Sequence, residues 1–253
     1  HVPTKTADAV AKLEEAGAIM VGKANQHEFA WGVTSQNPHW GNVANPVSPG
    51  KVAGGSSGGN AAALADGLCT IALGTDTGGS VRIPAACCDV VGFKPPFGAI
   101  STNGAFPLAA SFDTVGPMAR SVRDCALVYS VLTGRAVPTP RLAGVRVGVL
   151  ALTGFEDQLT ALGALVEDFV MPEPEADLTA VFMAECAFTH ISWFPARRSE
   201  YGPDGQLKWD AAQKVTAVAY RKGLDALEGL RRKVGEGLPV DVVVSPTIGR
   251  EPP

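Results

Sequence analysis

Between Gly54 and Pro84 the chain carries two glycine-dense loops, separated by an alanine-rich run and a short apolar run. The first loop reads Gly54-Gly55-Ser56-Ser57-Gly58-Gly59-Asn60. The second reads Gly74-Thr75-Asp76-Thr77-Gly78-Gly79-Ser80-Val81-Arg82-Ile83-Pro84. Glycine has no Cβ, so such loops reach positive φ and let main-chain N–H groups converge on one point. The alanine-rich run is a good helix former with almost no side-chain bulk. A helix starting there turns unpaired N–H groups and a partial positive charge toward the first loop. This build suits a developing oxyanion or another anion, and each loop carries serine.

Composition narrows the partners. A chain of 253 residues can hold one sizeable domain with a full core. With 46% hydrophobic and 18% charged residues it reads as globular. A net charge of −4, with no basic run or aromatic-basic stripe, argues against a nucleic-acid or anionic-membrane surface. No apolar stretch approaches the ~20 residues that span a bilayer. The first residues, His1 to Lys5, do not read as a signal peptide. Five cysteines without regular spacing read as reduced thiols of a cytoplasmic protein. Cys87-Cys88 has no second pair of zinc type, so the cysteines read as packing residues. No metal or cofactor is expected.

Taken in order, Asp8 to Ala16 places Val10, Leu13 and Ala16 on one helix face, with Gly17 as the stop. Ile19-Met20-Val21 reads as a buried strand. Gln26 to Pro49 has turn signals but no long period; Trp31 and Trp40 are its large apolar groups, and ordinary packing would explain both. Gly58 to Leu68 reads as a helix, Thr70 to Gly74 as a strand, and Arg82 to Cys88 as a short helix. Asp76 and Arg82 flank Ser80 and are expected to brace the loop through a charge-assisted hydrogen bond. Ser57 reads as a helix cap or loop brace. Ser121 to Leu132 is a helix with Ser121 and Asp124 forming a capping-box variant and Gly134 ending it. Val145 to Leu150 is a strand, Ala176 to Phe194 and Trp209 to Val234 are helices, and Asp241 to Ser245 is a last strand. Residues 151 to 175 look short for the turn from strand to helix. The expected class is α/β, a mixed β-sheet core covered by helices on both faces, in a single domain spanning 1–253.

Three chemistries compete for the loops. Gly54-Gly55-Ser56-Ser57-Gly58 fits the G-x-S-x-G nucleophile elbow, but that fold needs a downstream acid and histidine. The histidines are His1, His27, His39 and His190; His190 falls mid-helix, and none lies in a glycine-rich loop. A P-loop fails because no Gly-Lys-Ser/Thr follows, and no G-x-G-x-x-G is present. A serine hydroxyl needs a base, and a serine–lysine arrangement is the natural substitute where histidine is lacking. A non-catalytic scaffold stays open as well.

The two loops at this spacing resemble the amidase signature family. The resemblance runs from about Asp8 to Gly134 through Gly22-Lys23-Ala24-Asn25, Glu28-Phe29-Ala30, Asn37-Pro38, both loops, Val91-Gly92-Phe93-Lys94-Pro95 and Gly116-Pro117-Met118. It thins out beyond. It implies hydrolysis of amides, and in some members carbamates, ureas or esters, by a Ser–cis-Ser–Lys triad. By position, Ser80 matches the nucleophile and Ser56 the cis-serine. The resemblance also implies an oxyanion hole from the N–H groups of Thr77, Gly78, Gly79 and Ser80, and an acyl pocket touching Ala30, Trp31 and Gly55. The family's catalytic lysine precedes the first alignable stretch; Lys23 and Lys94 match framework positions. The chain departs from the pattern at Asp89, where glycine is common, and at Pro96-Phe97, where threonine-tyrosine is common. These readings imply a partial amidase domain with signature core 8–134, retained from a longer enzyme. A small-molecule amide or carbamate is the expected partner. A homodimer stays open, and nothing indicates a transamidation partner.

Overall fold

The computed structural model describes residues 2–151, 154–249 and 252–253. His1, and the part of the 151 to 175 expectation that falls on 152–153, lie outside the described residues. In chain order the elements are α1 (Asp8–Glu15), the hairpin strands β1 (Gln36–Asn37) and β2 (Gly41–Asn42), α2 (Gly58–Ala65), β3 (Ile71–Thr75), α3 (Arg82–Cys87), β4 (Val91–Gly92), β5 (Val115–Ala119) and α4 (Val122–Thr133). There follow β6 (Arg146–Val149), α5 (Glu156–Ala161), β7 (Leu165–Asp168), α6 (Thr179–His190), α7 (Phe194–Arg197), α8 (Pro203–Ala212), α9 (Ala217–Gly235) and β8 (Val242–Val244).

The chain divides into two compact units. The first runs from the N-terminus to Val137 and adds Phe182–Lys214. Its centre is an antiparallel sheet in the order β3-β5-β4. All five residues of β5 are buried, and β3 runs beside it with Ile71 opposite Ala119 and Thr75 opposite Val115. This pairing delivers the second glycine loop from the end of β3, and the Asp76 N–H donates to the Thr114 carbonyl at 2.7 Å. Ala9 and Leu13 of α1 pack with Ile100, Val115, Val128 and Leu132. Helix α4 starts where Ser121 Oγ accepts from the Asp124 N–H and ends at Gly134, whose φ of 70° is the left-handed conformation glycine tolerates.

The second unit comprises Pro138–Val181 and Val215–Gly249. Its sheet is parallel, in the order β7-β6-β8. Arg146 and Asp241 pair at the start of β6, 2.7 Å apart. Gly223 of α9 lets that helix lie close to Val181, where a Cβ would come within 2.6 Å of the valine methyl.

The α/β class holds, with the strands distributed over three sheets. Several local expectations are corrected. Ile19, Met20 and Val21 form no strand and are exposed; an apolar run buries itself only where a ladder partner exists, and none pairs with it among the described residues. Ala16 is exposed, because the core face of α1 is the i, i+4 pair Ala9 and Leu13. The helix expected over Trp209 to Val234 is two: α8 ends at Ala212, and α9 begins behind Thr216, whose Oγ1 accepts from the Ala219 N–H. The helix expected over Ala176 to Phe194 is shorter, starting behind Asp177, which accepts from the Thr179 N–H. The 151 to 175 region holds α5 and β7, not a bare turn.

Candidate active site

The two glycine loops are fastened to each other and to the segment before them. The Ser57 N–H donates to the Ser80 carbonyl at 3.1 Å, so the first loop hangs directly on the second. The Ser56 carbonyl accepts from the His27 N–H at 3.1 Å and from Ser35 Oγ at 3.0 Å. The Gly59 N–H donates to the Asn25 carbonyl at 3.0 Å. The Gly55–Ser56 peptide is cis. Gly55 is required by close approach: a Cβ there would lie 2.8 Å from the Thr34 nitrogen and 2.9 Å from that of Ser35. Gly54 has φ 75°, and its Cβ would strike the backbone of Pro84.

Ser57 stands at the N-cap of α2 but makes no side-chain cap bond. Ser35 makes one instead, its Oγ accepting from the Gly58 N–H at 3.0 Å. Ser35 is fully buried, and no periodic pattern in the sequence marks it, because its partners lie more than 20 residues on.

Both candidate reactive serines are buried, Ser56 fully and Ser80 at 7% exposure. Ser56 Oγ has no hydrogen-bond partner among the described residues, so it makes no bond to Ser80 Oγ here. A buried hydroxyl without a partner is costly, which marks this atom for explanation.

Asp76 is the hub of the second loop. Its fully buried carboxylate accepts from the Gly79 N–H at 2.8 Å and the Val81 N–H at 3.2 Å. Arg82 adds a bidentate pair, Nε to Oδ2 and Nη2 to Oδ1, each at 2.9 Å. Lys94 Nζ adds a bond to Oδ1 at 3.1 Å. Burial alone would push this carboxyl up. The hydrogen bonds from Arg82 and the charges of Lys94 and Arg82 outweigh it and hold Asp76 well below the usual carboxylate range. Asp76 therefore stays ionised and fully occupied as an acceptor, with no proton to move.

The same bonds sort the loop's donors. The Gly79 N–H, expected in the oxyanion hole, donates to Asp76. Thr77, Gly78 and Ser80 keep N–H groups without an acceptor among the described residues. A Cβ on Gly78 would meet nothing within 4 Å, so this face of the loop is open.

Ala30 and Trp31 pack with Leu108, Ala109, Phe112, Phe182 and Cys186 in one apolar wall. Asp113 ties the wall to the glycine loop: it accepts from Thr77 Oγ1 at 2.6 Å and from the Leu108 N–H at 2.8 Å. Sequence reading missed Asp113, whose role depends on contacts 36 residues away. Trp40 is exposed. A cleft of about 380 Å³ between α1, the start of β3 and α4 is lined by none of these residues.

The remaining titratable groups are accounted for locally. His27 is buried, which lowers it, and its Nε2 lies 3.3 Å from Asp204. His39 pairs with buried Glu28 at 2.7 Å. His190 is fully buried among aromatic rings and pushed down to about 4 by burial. Lys12 bonds the Leu132 carbonyl; Lys23 and Lys51 are exposed. The five cysteines are free, and burial pushes Cys88 up to about 12 and Cys125 to about 11. Among the described residues no three His, Cys, Asp or Glu side chains are grouped to hold a metal, and no helix is long and apolar enough to cross a membrane.

Two glycine loops with buried serines, joined main chain to main chain and braced by one ionised aspartate, make up the candidate site of this α/β fold. The Amidase family model matches residues 1–177, and the chain belongs to that family. It is 47% identical over 150 residues to indoleacetamide hydrolase of Pseudomonas syringae pv. syringae, a match covering 58% of this chain and 34% of that one. It is 40% identical over 211 residues to a glutamyl-tRNA(Gln) amidotransferase subunit from Deinococcus radiodurans, covering 72% of this chain and 44% of the relative. The chain thus spans a third to under half of these relatives' lengths. A crystal structure of an amidase superposes on all of this chain and 62% of its own, with TM-score 0.92 and 35% identity. Substrate-bound 6-aminohexanoate cyclic dimer hydrolase gives TM-score 0.82 at 30% identity, over 98% of this chain and 61% of its own.

Proposed function

We propose that this protein hydrolyses the C–N bond of small amides through an acyl-enzyme on Ser80, with Ser56 as proton relay. The observation that carries the reading is the buried, unpartnered Ser56 Oγ on a loop hydrogen-bonded to the Ser80 loop. In the reaction Ser80 Oγ attacks the carbonyl carbon as its proton passes to Ser56, whose own proton passes to a base. The Thr77, Gly78 and Ser80 N–H groups receive the oxyanion, each donor worth about 3 kcal/mol. The tetrahedral intermediate collapses, the C–N bond breaks, and the amine leaves with the relayed proton. Water then attacks the acyl ester, releases the acid and restores Ser80. Hydrogen bonds of this kind are often loose until substrate binds, in keeping with the absence of a Ser56–Ser80 side-chain bond.

The base is a neutral lysine, its pKa lowered by burial, contributed from outside these 253 residues. The lysines nearest in sequence are exposed or committed to carbonyls. The apolar wall of Ala30, Trp31, Leu108 and Phe182 favours an amide with an apolar or aromatic acyl group. Carbamates and esters pass through the same tetrahedral chemistry. Five free thiols, four of them buried, fit a cytoplasmic enzyme.

A serine-directed fluorophosphonate, followed by mass spectrometry of the intact enzyme, tests the assignment. Labelling at Ser80 is expected. Labelling at Ser56 or Ser57 would instead favour the nucleophile-elbow reading, and no labelling a scaffold. Ser56→Ala should lower kcat far more than Ser57→Ala. Replacing His27 or His39 should not cost the thousandfold typical of a triad member.

A further inference from the structure

Lys94 follows β4, with its side chain 26% exposed and turned into the second glycine loop. It is a counter-ion for Asp76, 3.1 Å from Oδ1, but its geometry adds more than that. Arg82 already takes both oxygens of the carboxylate. The shortest contact of Lys94 Nζ is to a main-chain carbonyl, that of Asp76, at 2.5 Å. After Asp76 Oδ1 at 3.1 Å come the carbonyls of Thr77 at 3.2 Å and Phe112 at 3.4 Å. An ammonium has three donors and no acceptor, and here three main-chain carbonyls and one carboxylate oxygen gather around one charge.

Two of those carbonyls matter for where the loop's N–H groups point. In a trans peptide the C=O of one residue and the N–H of the next lie in one plane and point in opposite directions. Holding the Asp76 carbonyl on the ammonium turns the Thr77 N–H away from it. Holding the Thr77 carbonyl does the same to the Gly78 N–H. Both N–H groups lack an acceptor among the described residues, whereas the next, that of Gly79, is turned back to Asp76. The open space beside Gly78 lies on this loop. A charge on the carbonyl end also polarises each peptide and strengthens its N–H as a donor.

We infer that Lys94 is a positioning residue for the oxyanion site: its ammonium holds the Asp76 and Thr77 carbonyls and so aims the Thr77 and Gly78 N–H groups at the oxygen that gains charge when Ser80 attacks. The inference rests on Ser80 being the nucleophile. It assigns Lys94 no proton transfer and no contact with substrate.

The test uses the intact enzyme, phenylacetamide as substrate and benzyl trifluoromethyl ketone as oxyanion mimic, since its adduct with the serine carries the negative oxygen. Lys94→Met should lower kcat by about a hundred- to a thousandfold, the range for one lost oxyanion donor, with KM changed less than about threefold on the same reasoning that ground-state binding is spared. Affinity for the ketone should fall by the same factor as kcat. Methylammonium added to Lys94→Ala should restore part of both. If Lys94→Met does not fold, Lys94→Gln, which keeps two neutral N–H donors, carries the same comparison with a smaller loss. A role confined to bracing the fold would lower the fraction of active protein and leave ketone affinity per active site unchanged; that result overturns the inference, as does a variant with normal kcat. Fluorophosphonate labelling of the unmodified enzyme separates the two levels. Ser80 labelled with ketone affinity unmoved by Lys94 variants removes only this inference. Ser80 unlabelled removes the nucleophile assignment and this inference with it.

Discussion

At the scale of single residues, the glycines of the first and second loops do different work, although their sequence contexts look alike. Gly55 is closed in by the main chain of Thr34 and Ser35, whereas Gly78 faces open space with no positive φ. Adding one methyl group should therefore separate stability from activity. Gly55→Ala forces backbone to move, which belongs with overpacking costs of about 1–3 kcal/mol or more, and should lower the thermal midpoint. Gly78→Ala should leave the midpoint unchanged and reduce kcat/KM, because its methyl enters the side from which substrate approaches. Paired melting curves and kinetics check this, and a Gly78→Ala enzyme with full activity would place the approach elsewhere. The Asp76–Arg82 pair could be picked out because its members lie six residues apart beside Ser80 in glycine-rich sequence, and the serines stand out through the family resemblance of their loops. Ser35, Asp113 and the carbonyl set of Lys94 could not. Each acts on groups some 17 to 36 residues away, and one chain with no periodic pattern there does not encode that pairing.

At the scale of elements, local chemistry predicts well where it is self-contained. Helix α4 carries its own start and stop signals in Ser121, Asp124 and Gly134, and it forms where expected. The segment Ile19-Met20-Val21 has strand composition but depends on a partner that composition cannot supply, and it lies exposed. The break between α8 and α9 follows from a threonine cap that an apolar count passes over. Helices α6, α7 and α8, with Phe29, build an aromatic cluster around His190. Its ring lies 4.4 Å from that of Trp209 and 4.6 Å from that of Phe29, and its Nδ1 pairs with the Tyr201 hydroxyl at 2.8 Å. Nε2 is buried without a partner among the described residues, so a proton there has no acceptor, and burial pushes His190 down to about 4. The unfolded chain then takes up a proton near pH 6.5 while the folded one does not until about pH 4. Stability from this group is present above about pH 6.5 and is lost as pH falls toward 4, by roughly 3 kcal/mol at most. His27, also lowered by burial, adds in the same direction. Urea midpoints between pH 4 and 7 should fall with pH in the unmodified protein and fall less steeply in His190→Gln. Equal slopes would mean that the cluster admits the proton.

At the scale of the whole molecule, a serine relay needs a proton acceptor, and the described lysines offer none to Ser56. Lys94 Nζ is held by carbonyls and by Asp76. Lys208 is bound to Asp204 and the Trp31 carbonyl, and Lys233 to Glu175. Lys23 and Lys51 are exposed, whereas Ser56 is fully buried. An internal hydroxyl left without any bond would be selected against on stability alone, unless the active enzyme supplies its partner. The expected partner is a buried amine on residues other than these, which the relatives' greater length makes room for. Intact mass and activity of the protein from its source decide the matter together. A mass well above 26.1 kDa, with one additional lysine whose replacement by alanine abolishes Ser80 acylation while leaving the melting midpoint in place, is the expected result. A mass near 26.1 kDa with full amidase activity would move the base to one of the lysines above, and Lys94 would then have to leave its carbonyls to reach Ser56. The same mass without activity would make the loops a scaffold and leave Ser56 Oγ a buried polar group with no catalytic reason to be there.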